Sequence, residues 1–201
     1  FICMPRPEVM RHMLAVENVA LITCRQQSQP GEWCLAGITD KVTEGCAISN
    51  KTREINYVFP LYLYPDADRR DLFSRLEPSA RRPNLNPRVA AALAAAHGRE
   101  PTPEEIFHYV YAVLYAPTYR AKYAEFLRLD FPRIPLAADR QAFEALAALG
   151  ARLAALHLLK SPELDPPAAR FEGAGDGRVA RGGWPRYDAA AERVYINARQ
   201  Y

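Results

Sequence analysis

Apolar and polar positions change their period along this chain, and the changes mark its elements. Pro7–Leu14 has helical spacing and predicts one short helix. From position 19 the pattern turns β-like. Val19–Cys24 is a short apolar run with β-branched residues, and Gln29-Pro-Gly-Glu32 carries turn chemistry. Trp33–Thr39 predicts a second strand and Cys46–Ser49 a short third. Ile55–Tyr64 is the strongest strand candidate. Apolar or aromatic residues on both its faces predict burial, while Pro60 places a bulge or an edge there.

Past residue 84 the period becomes helical. Asn86 can cap a helix, with Pro87 at its first position and Gly98 at its left-handed end; Val89, Leu93 and Ala96 share a face. Thr102-Pro103-Glu104-Glu105 spells a capping box for a helix that runs to Pro117. Thr118 restarts a helix with a stripe of Tyr119, Tyr123, Phe126 and Leu127. Asp139 caps a long last helix with Phe143, Leu146, Ala147, Gly150, Leu153, Ala154 and His157 on one face. Gly150 there predicts close approach of another element. In the tail, residues 172–177 form a flexible or tight glycine loop. Arg186–Asp188 and Arg193–Ile196 flank a four-residue connection and predict a hairpin.

The sum is an α+β chain: a small, twisted, mostly antiparallel sheet with a helical lobe. We divide it into a β-rich part (1–65), an Arg-rich link (66–83), a helical lobe (84–160) and a C-terminal loop and hairpin (161–201), together one composite domain. With 201 residues and 49% hydrophobic content it can bury a core without staples. No apolar run is long enough for a membrane span. The first residue is Phe1 and no signal peptide precedes it, so the chain is read as an excised piece of a larger, cytoplasmic protein.

Charge adds little as a total. The net charge is +3, and 26 basic and 23 acidic residues are spread evenly, so any nucleic-acid surface must be assembled by folding. Only four of the basic residues are lysines. That arginine excess is read as genome composition, because alanine and proline rise with it. Cys3, Cys24, Cys34 and Cys46 lie at least ten positions apart, which excludes a C-x-x-C metal motif. Free buried thiols are expected rather than two disulfides. His12, His97, His108 and His157 stand singly and are expected in core or interface roles. No phosphate cradle, nucleophile elbow or metalloprotease helix occurs.

The remaining candidate chemistry is loop-borne. Arg, Lys, Asn and Gln beside strands are the groups that read base edges, through bidentate contacts from a rigid frame. Three clusters qualify: Arg25, Gln26 and Gln27 after the first strand; Lys41 with Asn50, Lys51 and Arg53 around the third; and Arg81, Arg82 and Asn84. Taken singly, each is an ordinary solvated loop. Trp184, near Arg181 and Arg186, either stacks or is buried.

An ordered set of segments resembles the C-terminal specificity domain of Type ISP restriction–modification enzymes. These are Asn56–Pro65, Arg82–Asn86, Phe107–Arg120, Tyr123–Leu127, Asp130–Pro135 and Val194–Asn197, with Arg11–Leu14 and Leu21–Gln26 before them. The resemblance implies sequence-specific recognition of double-stranded DNA, directing adenine methylation and cleavage by upstream domains of one polypeptide. It implies a packing face toward the methyltransferase domain, for which the aromatic helix Ile106–Ala116 is a candidate unless it forms the domain's own core. S-adenosylmethionine, ATP and magnesium are expected for the parent enzyme and none for this fragment. Two rivals are a protein-docking module presenting Tyr109, Tyr111, Tyr115 and Tyr119, and a nuclease using Asp66, Asp68 and Asp71.

Overall fold

Ala20–Cys24 (β1), with its β-branched Ile22 and Thr23, is the central strand of a three-stranded antiparallel sheet. The computed structural model describes residues 6–14, 17–49, 54–65 and 81–201. One side of β1 pairs with Ala36–Thr39 (β2), in the register Leu21 with Ile38. The other pairs with Asn56–Pro60 (β3), in the register Leu21 with Phe59. Pro60 therefore ends an edge strand, where a missing N–H disturbs the ladder least. The chain breaks at Leu61, whose N–H donates to the Val19 carbonyl (2.8 Å). It resumes as Tyr62–Leu63 (β4), paired with Arg82–Pro83 (β5). Pro7–Leu14 (α1) forms as expected and contributes Met10, His12 and Met13 to the interior.

Three strand expectations need correction. The second strand starts only at Ala36, with Trp33 and Leu35 buried ahead of it as core side chains. Cys46–Ser49 is a bend and not a strand. Side chains replace a ladder there: Glu44 accepts from the Cys46 N–H (3.0 Å), and the Asn56 amide donates to the Glu44 carbonyl (3.2 Å). Ile55–Tyr64 is neither one strand nor buried on both faces. As an edge strand β3 turns Tyr57 (37% exposed) and Phe59 (40%) outward.

The helices follow their caps. Pro87–His97 (α2) begins at Asn86, which accepts from the Arg88 N–H (3.0 Å), and ends at Gly98 with φ +68°. Its inner face is Leu93 and His97 rather than Ala96, which is exposed. The His97 ring packs on Phe143, with Nε2 2.9 Å from the Ala137 carbonyl oxygen. Pro103–Tyr115 (α3) carries the full capping box. The Thr102 hydroxyl accepts from the Glu105 N–H (3.2 Å), and the Glu105 carboxylate accepts from the Thr102 N–H (2.8 Å). Arg99 grips Glu105 through two N–H groups (2.9 Å each) and also reaches Glu144 (2.8 Å), tying the starts of two helices together. The Arg99 guanidinium holds the Glu105 carboxyl below its ordinary pKa. We expect Thr102→Ala to cost about 0.5–2 kcal/mol in urea unfolding. A loss below a few tenths would show that Arg99 alone fixes this helix start.

The next predicted helix is two: Pro117–Lys122 (α4) and Ala124–Leu129 (α5), divided at Tyr123 with φ −110°. Tyr119 and Leu127 are buried, but the division leaves Phe126 exposed. Arg140–His157 (α6) starts at Asp139, which accepts from the Ala142 N–H (2.8 Å), and packs along α3. Gly150 makes the approach possible: a Cβ there would overlap the His108 carbonyl oxygen. The main core lies between these two helices and the sheet, with Trp33, Leu35, Leu93, Ile106, Leu114 and Phe143 at its centre. Among the described cysteines all are free, and only Cys24 is buried; Cys34 and Cys46 sit in exposed loops, contrary to expectation. Burial, with Glu54 and Cys46 nearby, pushes the Cys24 thiol up to about 11.

The chain falls into two compact units, Phe1–Ser161 and Pro162–Tyr201. In the second, Arg186–Asp188 (β6) and Arg193–Tyr195 (β7) form the expected hairpin, its turn held by Asp188 accepting from the Ala190 and Ala191 N–H groups. The glycine loop is tight. It closes around buried Gln200, whose side-chain oxygen accepts from the Gly177 N–H (3.0 Å), and Glu172 and Tyr201 exchange backbone hydrogen bonds. Trp184 does both things foreseen: it is half-buried, and the Arg186 guanidinium lies 4.7 Å from its ring centre.

Candidate nucleic-acid interface

The loop after β1 is braced from several sides. The Gln27 backbone N–H donates to the Arg128 carbonyl (3.0 Å), and an Arg128 amino group donates to the Gly31 carbonyl (2.8 Å). The Ser28 N–H donates to the Glu54 carboxylate (2.9 Å). The Arg25 Nε donates to Asp130, just past α5, at 2.9 Å. Arg25 and Asp130 keep 61% and 51% of their side-chain surface exposed. The hydrogen bond from Arg25, helped by the Phe131 N–H, lowers the Asp130 pKa, and Asp130 raises that of Arg25, so both stay ionised near neutral pH. Gln26 is exposed. Gln27 is only half exposed, and its amide donates within its own loop, to the Gln29 and Gly31 carbonyls.

Beside this loop lies an aromatic patch. Phe131 meets Tyr57 and Phe59 edge to face, with ring centres 5.0 and 5.9 Å apart. The Arg6 guanidinium lies 5.7 Å from the Tyr57 ring centre. Outward rings beside arginines offer flat apolar surface for bases and methyl groups with charge for phosphates. None of Tyr57, Phe59, Phe131 or Arg6 was among the expected site residues. The missed signal was the two-residue period of Tyr57 and Phe59 just before Pro60, which marks an edge strand with one open face.

The strand register separates the remaining candidates. Arg25, Gln26 and Gln27 follow the last residue of β1. Lys41 follows the end of β2, opposite the first residue of β1, and at that same end Arg82 lies in β5 with Arg81 and Asn84 on either side of the strand. A five-residue strand puts roughly 16 Å between the two groups. Lys41 is exposed, 3.6 Å from Asp40; Lys160 holds that carboxylate more closely, at 2.7 Å, and lowers its pKa. The Arg81 guanidinium lies 4.0 Å above the Tyr62 ring. Burial, then the hydrogen bond to Glu104, pushes the Tyr62 hydroxyl up to about 12. Arg82 is exposed in β5. The Asn84 amide holds the turn, donating to the Pro60 carbonyl (3.0 Å) while its backbone N–H donates to Leu61. Asn50, Lys51 and Arg53 lie outside the described residues, as do Asp66, Asp68 and Asp71.

Other chemistry finds no centre among the described residues. Among the described residues no cluster of His, Cys, Asp and Glu can hold a metal ion. His12 accepts from the Tyr64 N–H (3.0 Å), and His157 shares a hydrogen bond with the Tyr111 hydroxyl (2.6 Å). Burial lowers the His108 pKa. The tyrosine face proposed for docking is mostly core: Tyr109, Tyr111 and Tyr119 are buried, and Tyr115 is half-buried with its hydroxyl on the Ala36 carbonyl (2.8 Å). No described helix is long and apolar enough to cross a membrane.

Residues 1–201 match the family model of the Type ISP C-terminal specificity domain. No curated protein matches the chain. Among solved structures, the cryoEM structure of a DrdV–DNA complex is similar at 25% identity and TM-score 0.65, over 96% of this chain and 18% of that one. A nuclease-deletion mutant of the Type ISP restriction-modification enzyme LlaGI, in complex with a DNA substrate mimic, is similar at 20% identity and TM-score 0.57, over 91% of this chain and 14% of that one. The ATP-dependent Type ISP restriction-modification enzyme LlaBIII bound to DNA is similar at 21% identity and TM-score 0.53, over 72% and 8%. This chain thus spans less than a fifth of each of these proteins, and the two lower identities speak for the fold alone.

Proposed function

This chain belongs to the family of Type ISP C-terminal specificity domains, and on that premise we propose that it reads a double-stranded DNA sequence for a larger restriction–modification polypeptide. The observation that carries the proposal is the braced loop. Arg25 and Gln26 are exposed on it, beside the open rings of Tyr57 and Phe59. Reading base edges needs such side chains on a frame that does not move. Lys41, Arg81 and Arg82, at the far end of the sheet, suit phosphate contacts that set register. The roughly 16 Å between the two ends corresponds to about five base-pair steps. The proposal assigns no reaction and no cofactor to this chain. Adenine methylation with S-adenosylmethionine, and ATP- and magnesium-dependent cleavage, belong to other regions of the polypeptide, and its methyltransferase domain is a packing partner.

A second reading, a docking module without base contacts, draws on an apolar groove of about 340 Å³ between α3 and α6, lined by Ala112, Tyr115, Leu146, Leu149, Leu153 and Leu156. One experiment separates the two. The whole polypeptide is expressed in cells with this chain either native or exchanged for that of a relative, and adenine methylation is mapped across the genome. DNA reading predicts one methylated motif that moves with the exchanged chain. An unchanged motif would leave the docking reading and overturn the first.

A further inference from the structure

The Arg25–Asp130 pair has a geometry that an ordinary surface ion pair does not need. Asp130 engages only Nε, on the flank of the guanidinium. The terminal Nη1 and Nη2 groups make no hydrogen bond to the described residues. The backbone on both sides is pinned by the Gln27–Arg128 and Arg128–Gly31 hydrogen bonds. Arg25 therefore keeps its end-on fork open to solvent while its stem is aimed by a carboxylate from a different element, 105 residues away in sequence. A free arginine loses side-chain entropy when it binds, and an aimed one loses less. Two parallel N–H groups at the spacing of that fork match the O6 and N7 acceptors of guanine in the major groove.

We infer that Arg25 reads one guanine through its terminal amino groups and that Asp130 is its positioning residue. The inference rests on the proposed reading of double-stranded DNA and deepens it by naming a base and a pair of residues. Asp130 also makes the site selective. Its carboxylate repels phosphates, so an arginine held against it is a poor backbone contact and a better base contact. Arg6, whose guanidinium lies 5.7 Å from the Tyr57 ring centre, remains for phosphates.

The test uses the whole polypeptide and a duplex panel built on its methylated motif, with every position changed in turn to the other three bases. Dissociation constants are measured for the native protein, Arg25→Ala, Arg25→Lys and Asp130→Asn. We expect Arg25→Ala to lower discrimination at one guanine position by roughly 5- to 150-fold and leave the other positions unchanged. Arg25→Lys should behave similarly, since it keeps the charge and loses the fork. Asp130→Asn should relax the same position while overall affinity holds or rises, a combination that a merely structural role does not produce. Circular dichroism of each variant confirms folding, and both side chains are exposed enough to change without disturbing the core. Uniform weakening over all duplexes by Arg25→Ala would make Arg25 a phosphate contact and overturn the inference. So would relaxation at different positions by the two residues. If the native polypeptide shows no sequence preference at all, it is the reading of DNA that fails.

Discussion

Phe143→Ala should destabilise the chain by about 3–5 kcal/mol, read as a lower urea midpoint at an unchanged slope. Phe143 is fully buried, and its ring stacks on Tyr109, centre to centre 4.9 Å, with His97 at the same distance on another side. Removing it leaves a ring-sized void between α2, α3 and α6. The lining cannot close easily, because Tyr109 is fixed through its hydroxyl to Pro135 and His97 through its ring nitrogen to Ala137. Phe143→Leu, which keeps most of the volume, should cost far less, about 1–1.5 kcal/mol. A loss below about 1.5 kcal/mol for the alanine variant would show that these helices repack freely, and the anchoring role given to Tyr109 and His97 would be wrong.

Gly150→Ala gives the second large effect, and its sign is the informative part. On helix propensity alone, alanine in the middle of α6 should gain about 1 kcal/mol over glycine. The new methyl group would overlap the His108 carbonyl oxygen, which belongs to the backbone of α3 and cannot rotate away. The helices must move apart along the interface that holds the main core. Overpacking of this kind costs about 1–3 kcal/mol, more where backbone is the obstacle, so we expect a net loss of about 2 kcal/mol or more. The same unfolding titration reads it, and a gain in stability would mean that α3 and α6 slide past each other at little cost.

The elements most legible in the sequence are those whose signal is local. Asn86, Thr102 and Asp139 each cap the helix assigned to them, since a side chain that reaches a backbone N–H two or three residues on needs no tertiary partner. Gly150 is read correctly because a glycine amid strong helix formers calls for a close neighbour. The readings that needed correction depend on distant residues. Cys46–Ser49 has strand-like composition, yet Glu44 and Asn56 satisfy its backbone in a bend. Tyr57 and Phe59 have the composition of core residues, yet β3 is an edge strand and their face stays open.

The candidate site divides along the same line. Arg25, Gln26, Lys41, Arg81 and Arg82 were legible as polar loop residues beside strands, because binary patterning shows which loops are solvated. Which of them share an end of the sheet was not legible. That follows from antiparallel pairing, which sends Lys41 and β5 to one end and Arg25 to the other. The sequence by itself determined the α+β class, the helix starts and the loop chemistry, each set by interactions spanning a few residues. Only the tertiary structure brought Asp130 to Arg25 and turned Tyr57, Phe59 and Phe131 into one open patch. Those contacts join residues about 70 to 105 positions apart, where strand order and helix packing, rather than local propensity, decide which groups meet.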